Sequence, residues 1–437
     1  MSLEPMSQPF DKRTQWIVAF FGLFIAFPIL EIPFIGVSIT FPIFLWICLR
    51  VIKKYRVPLF GFSGVLDWLM LTFIVAAGVS ILAAPEADRG GVDLLIKDAM
   101  SFFYLTYWFS VYLFFRRWYS KINHRRLGLF TLIGVGLSSI VILSGHREGG
   151  SFVFGPLDIS QNAFAFNAVA CMGVGATYLL LRRKSVYVFF YAVFLLYPMM
   201  RSDSRSGIII MVFQSIAIAL FAPLAQNRVA RSVLIVGIAV PVLFYAVADI
   251  GPDVDSLGQD LGSRIEPYNP GLALLLMDSG RIKERDKSWL VRKTQVDKGV
   301  DLFKRYPLTG VGWGHFRYVR GDIDVAQYKY LKREYDSYAL TRSSHNTYMQ
   351  VLAEMGLVGF IPFILIQIYI VCCISFSLLK AKSIAEVLPL GISLLGIAIY
   401  FWTISGITGT VWYFVVGLFA GAVANERKKN HSALRAY

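Results

Sequence analysis

The sequence predicts an all-α polytopic membrane protein with about twelve transmembrane helices. Three observations predict it. Hydrophobic residues make up 56% of the 437 and mean hydropathy is +0.58, beyond the range of ordinary soluble proteins. Apolar runs of helical length recur from end to end. Basic residues alternate in density between successive loops, as they do on the two sides of a bilayer.

In order, the runs lie at 15–30, 33–50, 64–83, 96–115, 127–144, 161–181, 185–200, 206–223, 232–249, 349–379, 384–401 and 409–424. Most have the length a helix needs to cross a hydrocarbon core of about 30 Å. The first run reads as a span and not as a cleaved leader, because Glu31-Ile32-Pro33 leads straight into the second and no small-residue cleavage site stands out. Residues 1–249 thus form spans one to nine, 250–348 a large outer loop, and 349–437 spans ten to twelve with a cytoplasmic tail.

The net charge of +15 raises nucleic acid as a partner, but its distribution argues against one. The termini and even-numbered loops hold 22 of the 43 Lys and Arg residues, including Arg50 to Arg56, Arg116 to Arg126 and Arg427 to Arg435. The short loops on the other side hold Arg89, Arg147, Arg201 and Arg205, with Lys97 at a span edge. This asymmetry places both termini in the cytoplasm and the 250–348 loop outside. All four cysteines fall within apolar runs, so neither a disulfide framework nor a zinc spacing is present. Phosphate-cradling glycine loops are absent. Asp67 and Asp98 lie inside apolar runs without forming an ion path, and the two halves show no repeat of the kind many transporters have.

The outer loop reads as a folded cap. Residues 288–305 have helical character and stop at Tyr306-Pro307, where proline disfavours helix in the residue before it. A glycine-dense turn, Gly310-Val311-Gly312-Trp313-Gly314, follows. The short outer hairpin from Met200 to Gly207 carries Arg201 and Arg205 among serines. Two readings stand: bidentate anion binding, with Ser204 and the start of the eighth run assisting, or a structural pair with Asp203. His345 also has two readings. It is a structural hydrogen-bonder near an interface, or a functional imidazole whose tautomer is set by Asn346 and the preceding serines at a helix start. If 345–359 is helical, Gly356 lies near the His345 face, where small residues let another span approach. Glu354 falls on the opposite face and is not its partner.

His345-Asn346, nine residues, then Gly356-Leu357-Val358-Gly359 resembles the H-N-x9-G-x-x-G signature of bacterial O-antigen ligases, O-oligosaccharyltransferases and polysaccharide polymerases. Ser204-Arg205-Ser206-Gly207 resembles the family's S-R-x-G hairpin. Pro307-Leu308-Thr309-Gly310-Val311-Gly312-Trp313-Gly314 resembles its P-L-x-G-V-G-x-G turn. An arginine fifteen residues before that proline is usual, and Arg292 stands there. Val296 occupies the place where the family often has tryptophan, and Arg281 and Arg285 are the alternative loop arginines.

The resemblance implies a lipid-carrier glycosyltransferase (GT-C type) fold with a helical periplasmic cap, in the bacterial inner membrane. It implies transfer of a glycan from undecaprenyl diphosphate to an acceptor, and the match is closest to a ligase, whose acceptor is the lipid A core. A repeat-unit polymerase is the alternative, and a lipid-linked glycan transporter is the alternative from another class. His345, Arg205 and Arg292 are the expected catalytic residues. Arg205 and Arg292 face the diphosphate charge, and His345 serves as base for the acceptor hydroxyl or as an imidazolium on the diphosphate. Arg201, Ser204, Arg281, Asn346 and Tyr348 are the expected substrate-binding residues. Besides the two substrates only membrane lipids are implied as partners, with no nucleic acid, no cofactor and no required metal.

Overall fold

A computed structural model describes residues 9–27, 31–32, 37–56, 58–62, 64–84, 92–148, 151–154, 157–181, 185–201, 205–224, 287–319, 321–322, 344–380, 384–402 and 409–435. Its helices are α1 (Lys12–Ala26), α2 (Thr40–Tyr55), α3 (Val65–Leu82), α4 (Val92–Arg117), α5 (His124–Ser144), α6 (Gln161–Leu181), α7 (Ser185–Arg201), α8 (Arg205–Leu224), α9 (Lys287–Arg305), α10 (Thr347–Lys380), α11 (Ile384–Tyr400) and α12 (Thr410–Arg435). Eleven of the twelve apolar runs coincide with one of these helices; the run at 232–249 lies outside the described residues. By length and composition, Val65–Leu82, His124–Ser144, Asn162–Leu181 and Thr347–Leu378 can each cross a membrane.

The fold is mostly helical, with two small additions that the apolar pattern does not announce. Glu31–Ile32 (β1) pairs with Val37–Ser38 (β2), so α2 begins only at Thr40. Pro33, which has no amide to give a helix interior, lies between them in the sequence. His146–Glu148 (β3), Ser151–Phe154 (β4) and Leu157–Ser160 (β5) form an antiparallel sheet between α5 and α6. Gly149-Gly150 and Gly155-Pro156, both turn-favouring dipeptides, separate these strands in sequence.

Helices are held by large apolar side chains and by glycines at close crossings. Phe21, Phe44, Phe114, Phe115 and Phe414 interlock where α1, α2, α4 and α12 meet. α6 and α11 approach at Gly173, whose amide donates to Ser393 Oγ at 2.6 Å and where a Cβ would lie 2.3 Å from Pro389 O.

The bundle has two chemically distinct ends. At one, Asp11 caps α1 and pairs with Arg50 and Lys54 of α2. Buried Asp67 caps α3 and takes Arg116 Nη1 at 2.7 Å and Tyr112 OH at 2.7 Å. The chain near Phe10 bonds Lys121, and Gly421 of α12 packs on Tyr119, so the starts of α1 and the later turns of α12 share this basic end. The other end holds the three-stranded sheet, the C-terminus of α3, the start of α4 and the region around His345.

Candidate functional site

The site is built around a break in α10. Gly356 has φ 57° and ψ −157°, which no helix interior tolerates. The break removes two ladder bonds, those from Leu357 N–H to Ala353 O and from Val358 N–H to Glu354 O. The turn after α9 replaces them with four. Val311 N–H donates to Ala353 O at 3.0 Å and Gly312 N–H to Glu354 O at 2.9 Å. Pro307 O accepts from Leu357 N–H at 2.9 Å and Leu308 O from Val358 N–H at 3.1 Å. The motif Pro307–Gly314 is therefore a plug seated in the kink, and each orphaned backbone group finds a partner.

Glycine is required on both surfaces of this joint. A Cβ on Gly356 would lie 2.3 Å from Leu308 O, and one on Gly310 (φ +69°) 2.3 Å from the carbonyl carbon of Glu354. This corrects the expectation for Gly356: the glycine admits the turn that follows α9, not a neighbouring span.

Side chains lock the plug in place. Glu354 is buried and accepts Phe316 N–H at 3.1 Å and Gln350 Nε2 at 3.2 and 3.3 Å. Lys298 on α9 is buried, donates Nζ to Phe316 O at 2.7 Å and sits 4.7 Å from that ring's centre. Burial pushes the Lys298 ammonium down to about 8, with the Glu354 charge opposing and Arg305 reinforcing the shift. Trp313 N–H donates to Ser80 Oγ at the end of α3, and its ring meets Phe73 edge-on. His315 Nε2 lies 2.6 Å from Asp98 Oδ1 on α4.

His345 stands just before the plugged helix and is half-buried. It has φ 51°, one of two non-glycine residues with positive φ among the described residues. The segment on both sides of it is pinned. Ser344 Oγ donates to Asn346 O at 2.7 Å, and Asn346 Oδ1 accepts Met349 N–H as the cap of α10. Thr347 N–H donates to Phe401 O at 2.7 Å, and Tyr348 OH donates to Ala398 O at 2.8 Å. The polar helix start read from the sequence is present, but His345 lies outside the helix and is presented by a left-handed backbone. Such strain is retained where the surroundings over-determine it.

The arginines fall around the same end. Gln214 of α8 bonds Ser393 O of α11, and Ile210 meets Gly396, so α8 runs antiparallel along α11. Its first residue, Arg205, therefore belongs to the end where Phe401 holds Thr347. Arg201, at the end of α7, donates Nε to Ile142 O at 2.8 Å and Nη2 to Gly145 O at 3.1 Å. It thereby caps the α5 C-terminus with a cation. Arg292 is an exposed residue of α9, the helix that packs against α10. Ser204 and Arg281 lie outside the described residues, as does Asp203. Among the described residues no three His, Cys, Asp or Glu side chains gather to hold a metal ion.

Sequence reading missed Lys298 and the partners that Glu354 and Asp98 find in the plug. A charged residue inside an apolar run was the available signal for Asp98; nothing local marked Lys298 as buried.

No curated protein matches the chain. The family model described as O-antigen ligase matches residues 190–364, a stretch that takes in the end of α7, α8, α9, the plug, His345 and the kink. The three short motifs and Arg292 all fall within this one continuous segment, and residues 190–364 are similar to the O-antigen ligase family.

Proposed function

We propose that the protein transfers a glycan from undecaprenyl diphosphate to a hydroxyl of the lipid A core, without a metal, on the periplasmic face of the bacterial inner membrane. The observation that carries this is the O-antigen ligase match over 190–364, which covers the three motif segments at one end of the bundle. The chain crosses the bilayer about twelve times, with its basic end and both termini in the cytoplasm and residues 250–348 forming the cap of a GT-C type fold.

In this reading the acceptor oxygen attacks the anomeric carbon and the bond to the diphosphate oxygen breaks. Negative charge then grows on the leaving diphosphate. Arg205 and Arg292 stabilise it, a contribution typically worth about 3 kcal/mol for one preorganised group. His345 takes the hydroxyl proton, or as imidazolium shares the diphosphate charge. Arg201, Ser204, Arg281, Asn346 and Tyr348 shape the surrounding substrate site. The pinned backbone on both sides of His345 supports a fixed catalytic geometry.

The test supplies purified protein in lipid vesicles with lipid-linked glycan, with and without lipid A core. Product on the core, formed only when core is present, is the expected result. Longer lipid-linked chains without core mean a polymerase, and the absence of both products with movement of the donor across the bilayer means a transporter.

A further inference from the structure

Two helices begin side by side at the basic end. Asn123 N–H donates to Gln15 Oε1 at 2.7 Å, and Gln15 Nε2 donates to Lys121 O at 2.6 Å. Farther along, Ser138 Oγ donates to Ala26 O, so α1 and α5 run parallel and in contact from that end. The first turn of neither helix holds an acid. Lys12, Arg13, Arg125 and Arg126 stand there instead, although the start of a helix favours anionic side chains. Asp11, beside them in sequence, is taken by Arg50 and Lys54 of α2. Among the described residues no carboxylate pairs with any of the four. Other cations at this end are spent on internal acceptors: Arg116 on Asp67, and Arg117 on Phe60 O.

Arg126 shows where this charge lies. Its guanidinium carbon is 4.9 Å from the centre of the Trp16 ring. Trp16 is 44% exposed and Phe20, one turn on, is 45% exposed. Phe130, one turn beyond Arg126, meets both rings edge-on at 5.5 and 5.2 Å. The two helices thus share one outward face, with cations at the helix starts, an indole next to them and phenyl rings beyond. Exposed Ile133 and Leu137 continue it along α5. An apolar row by itself is what any span shows to lipid. Here a cation is held directly against the exposed apolar surface, and its three cationic neighbours have no internal counter-charge.

The geometry points to this face as a binding site for an anionic diacyl phospholipid, its phosphate among Lys12, Arg13, Arg125 and Arg126 and an acyl chain along Trp16, Phe20 and Phe130. Guanidinium forks match phosphate oxygens, and an indole suits the boundary between headgroup and chain. A zwitterionic lipid brings its own cation to the same place and gains less. The site lies at the opposite end of the bundle from His345 and does not depend on the glycan-transfer reading.

Native mass spectrometry of the purified full chain in detergent tests it, with phosphatidylglycerol and phosphatidylcholine of identical acyl chains as probes. Wild type retains one phosphatidylglycerol with about tenfold preference over phosphatidylcholine. Arg13→Gln combined with Arg126→Gln loses that preference. Lys53→Gln combined with Lys428→Gln removes two exposed cations of α2 and α12 at the same end, and keeps it. Trp16→Leu leaves an apolar surface but binds phosphatidylglycerol about threefold more weakly, because Arg126 loses its ring. Equal retention of the two lipids by wild type overturns the site. So does an equal loss in the two double variants, the signature of charge that only orients the chain in the bilayer. A lipid-free wild-type dimer that Arg13→Gln with Arg126→Gln dissociates also overturns it, and makes the face a contact between copies.

Discussion

His345 occupies a left-handed backbone position that costs a non-glycine residue on the order of 1 kcal/mol, and the hydrogen bonds of Ser344, Asn346, Thr347 and Tyr348 hold it there. On the proposed function, His345→Ala lowers the transfer rate by at least about 100-fold. Thermal unfolding in detergent shows little change, because the flanking bonds are made by other residues. Rapid transfer by the purified variant removes the catalytic assignment. Arg205→Lys keeps the charge but loses the planar fork, and loses about 100-fold in rate if the diphosphate is held bidentately; full activity favours an anchoring role. Lys298 makes a pH prediction. Its native value of about 8 lies below the ordinary 10.5, so between these values the unfolded chain binds more protons and stability rises with pH. The burden at neutral pH is about 3 kcal/mol, relieved as pH climbs from about 8 to about 10.5. Denaturation of wild type minus that of Lys298→Met, measured across this window, shows the rise. A flat difference means that the ammonium is not penalised by the fold.

At the scale of elements, α9 with the turn after it and α10 are one unit. The break at Gly356 alone exposes two carbonyls and two amides, and the plug alone is a short glycine-rich loop; together they form a four-bond joint. Gly356→Ala places a methyl against Leu308 O and forces an L side chain to φ 57°, so it costs more than about 3 kcal/mol and lowers the unfolding temperature by several degrees. Retention of wild-type melting by that variant means that the plug does not seat in the kink. The α9 helix and its stop before Pro307 are legible in the sequence, since a proline restrains its predecessor locally. The kink is not. The 347–380 stretch is predominantly apolar, and a glycine in such a run reads as a tolerated helix residue or a crossing point. Only the carbonyls brought in by residues 307 and 308 distinguish the two.

Across the whole molecule, the two ends of the bundle gather different groups among the described residues. Asp11, Arg50, Lys54, Arg116 and Lys121 gather at one end, and the sheet, the plug and His345 at the other. In intact spheroplasts, cysteines placed at exposed Arg13 and Arg427 should stay unlabelled by a membrane-impermeant maleimide while one at Arg292 is labelled. Labelling at Arg13 and Arg427 with none at Arg292 reverses the proposed topology, and labelling of all three overturns it. The sequence by itself determined the helical runs, their order and the segregation of basic residues, because hydropathy and loop charge are sums over neighbouring positions and need no fold to evaluate. It also located the motif segments, all of which fall within the 190–364 family match. Only the tertiary structure decided which groups complete one another. Asp98 meets His315 across 217 positions, Trp313 meets Ser80 across 233, and the Gly356 break is repaired by residues about fifty positions earlier. Hydrogen-bond satisfaction is settled between distant segments, and no local pattern records which of them will meet.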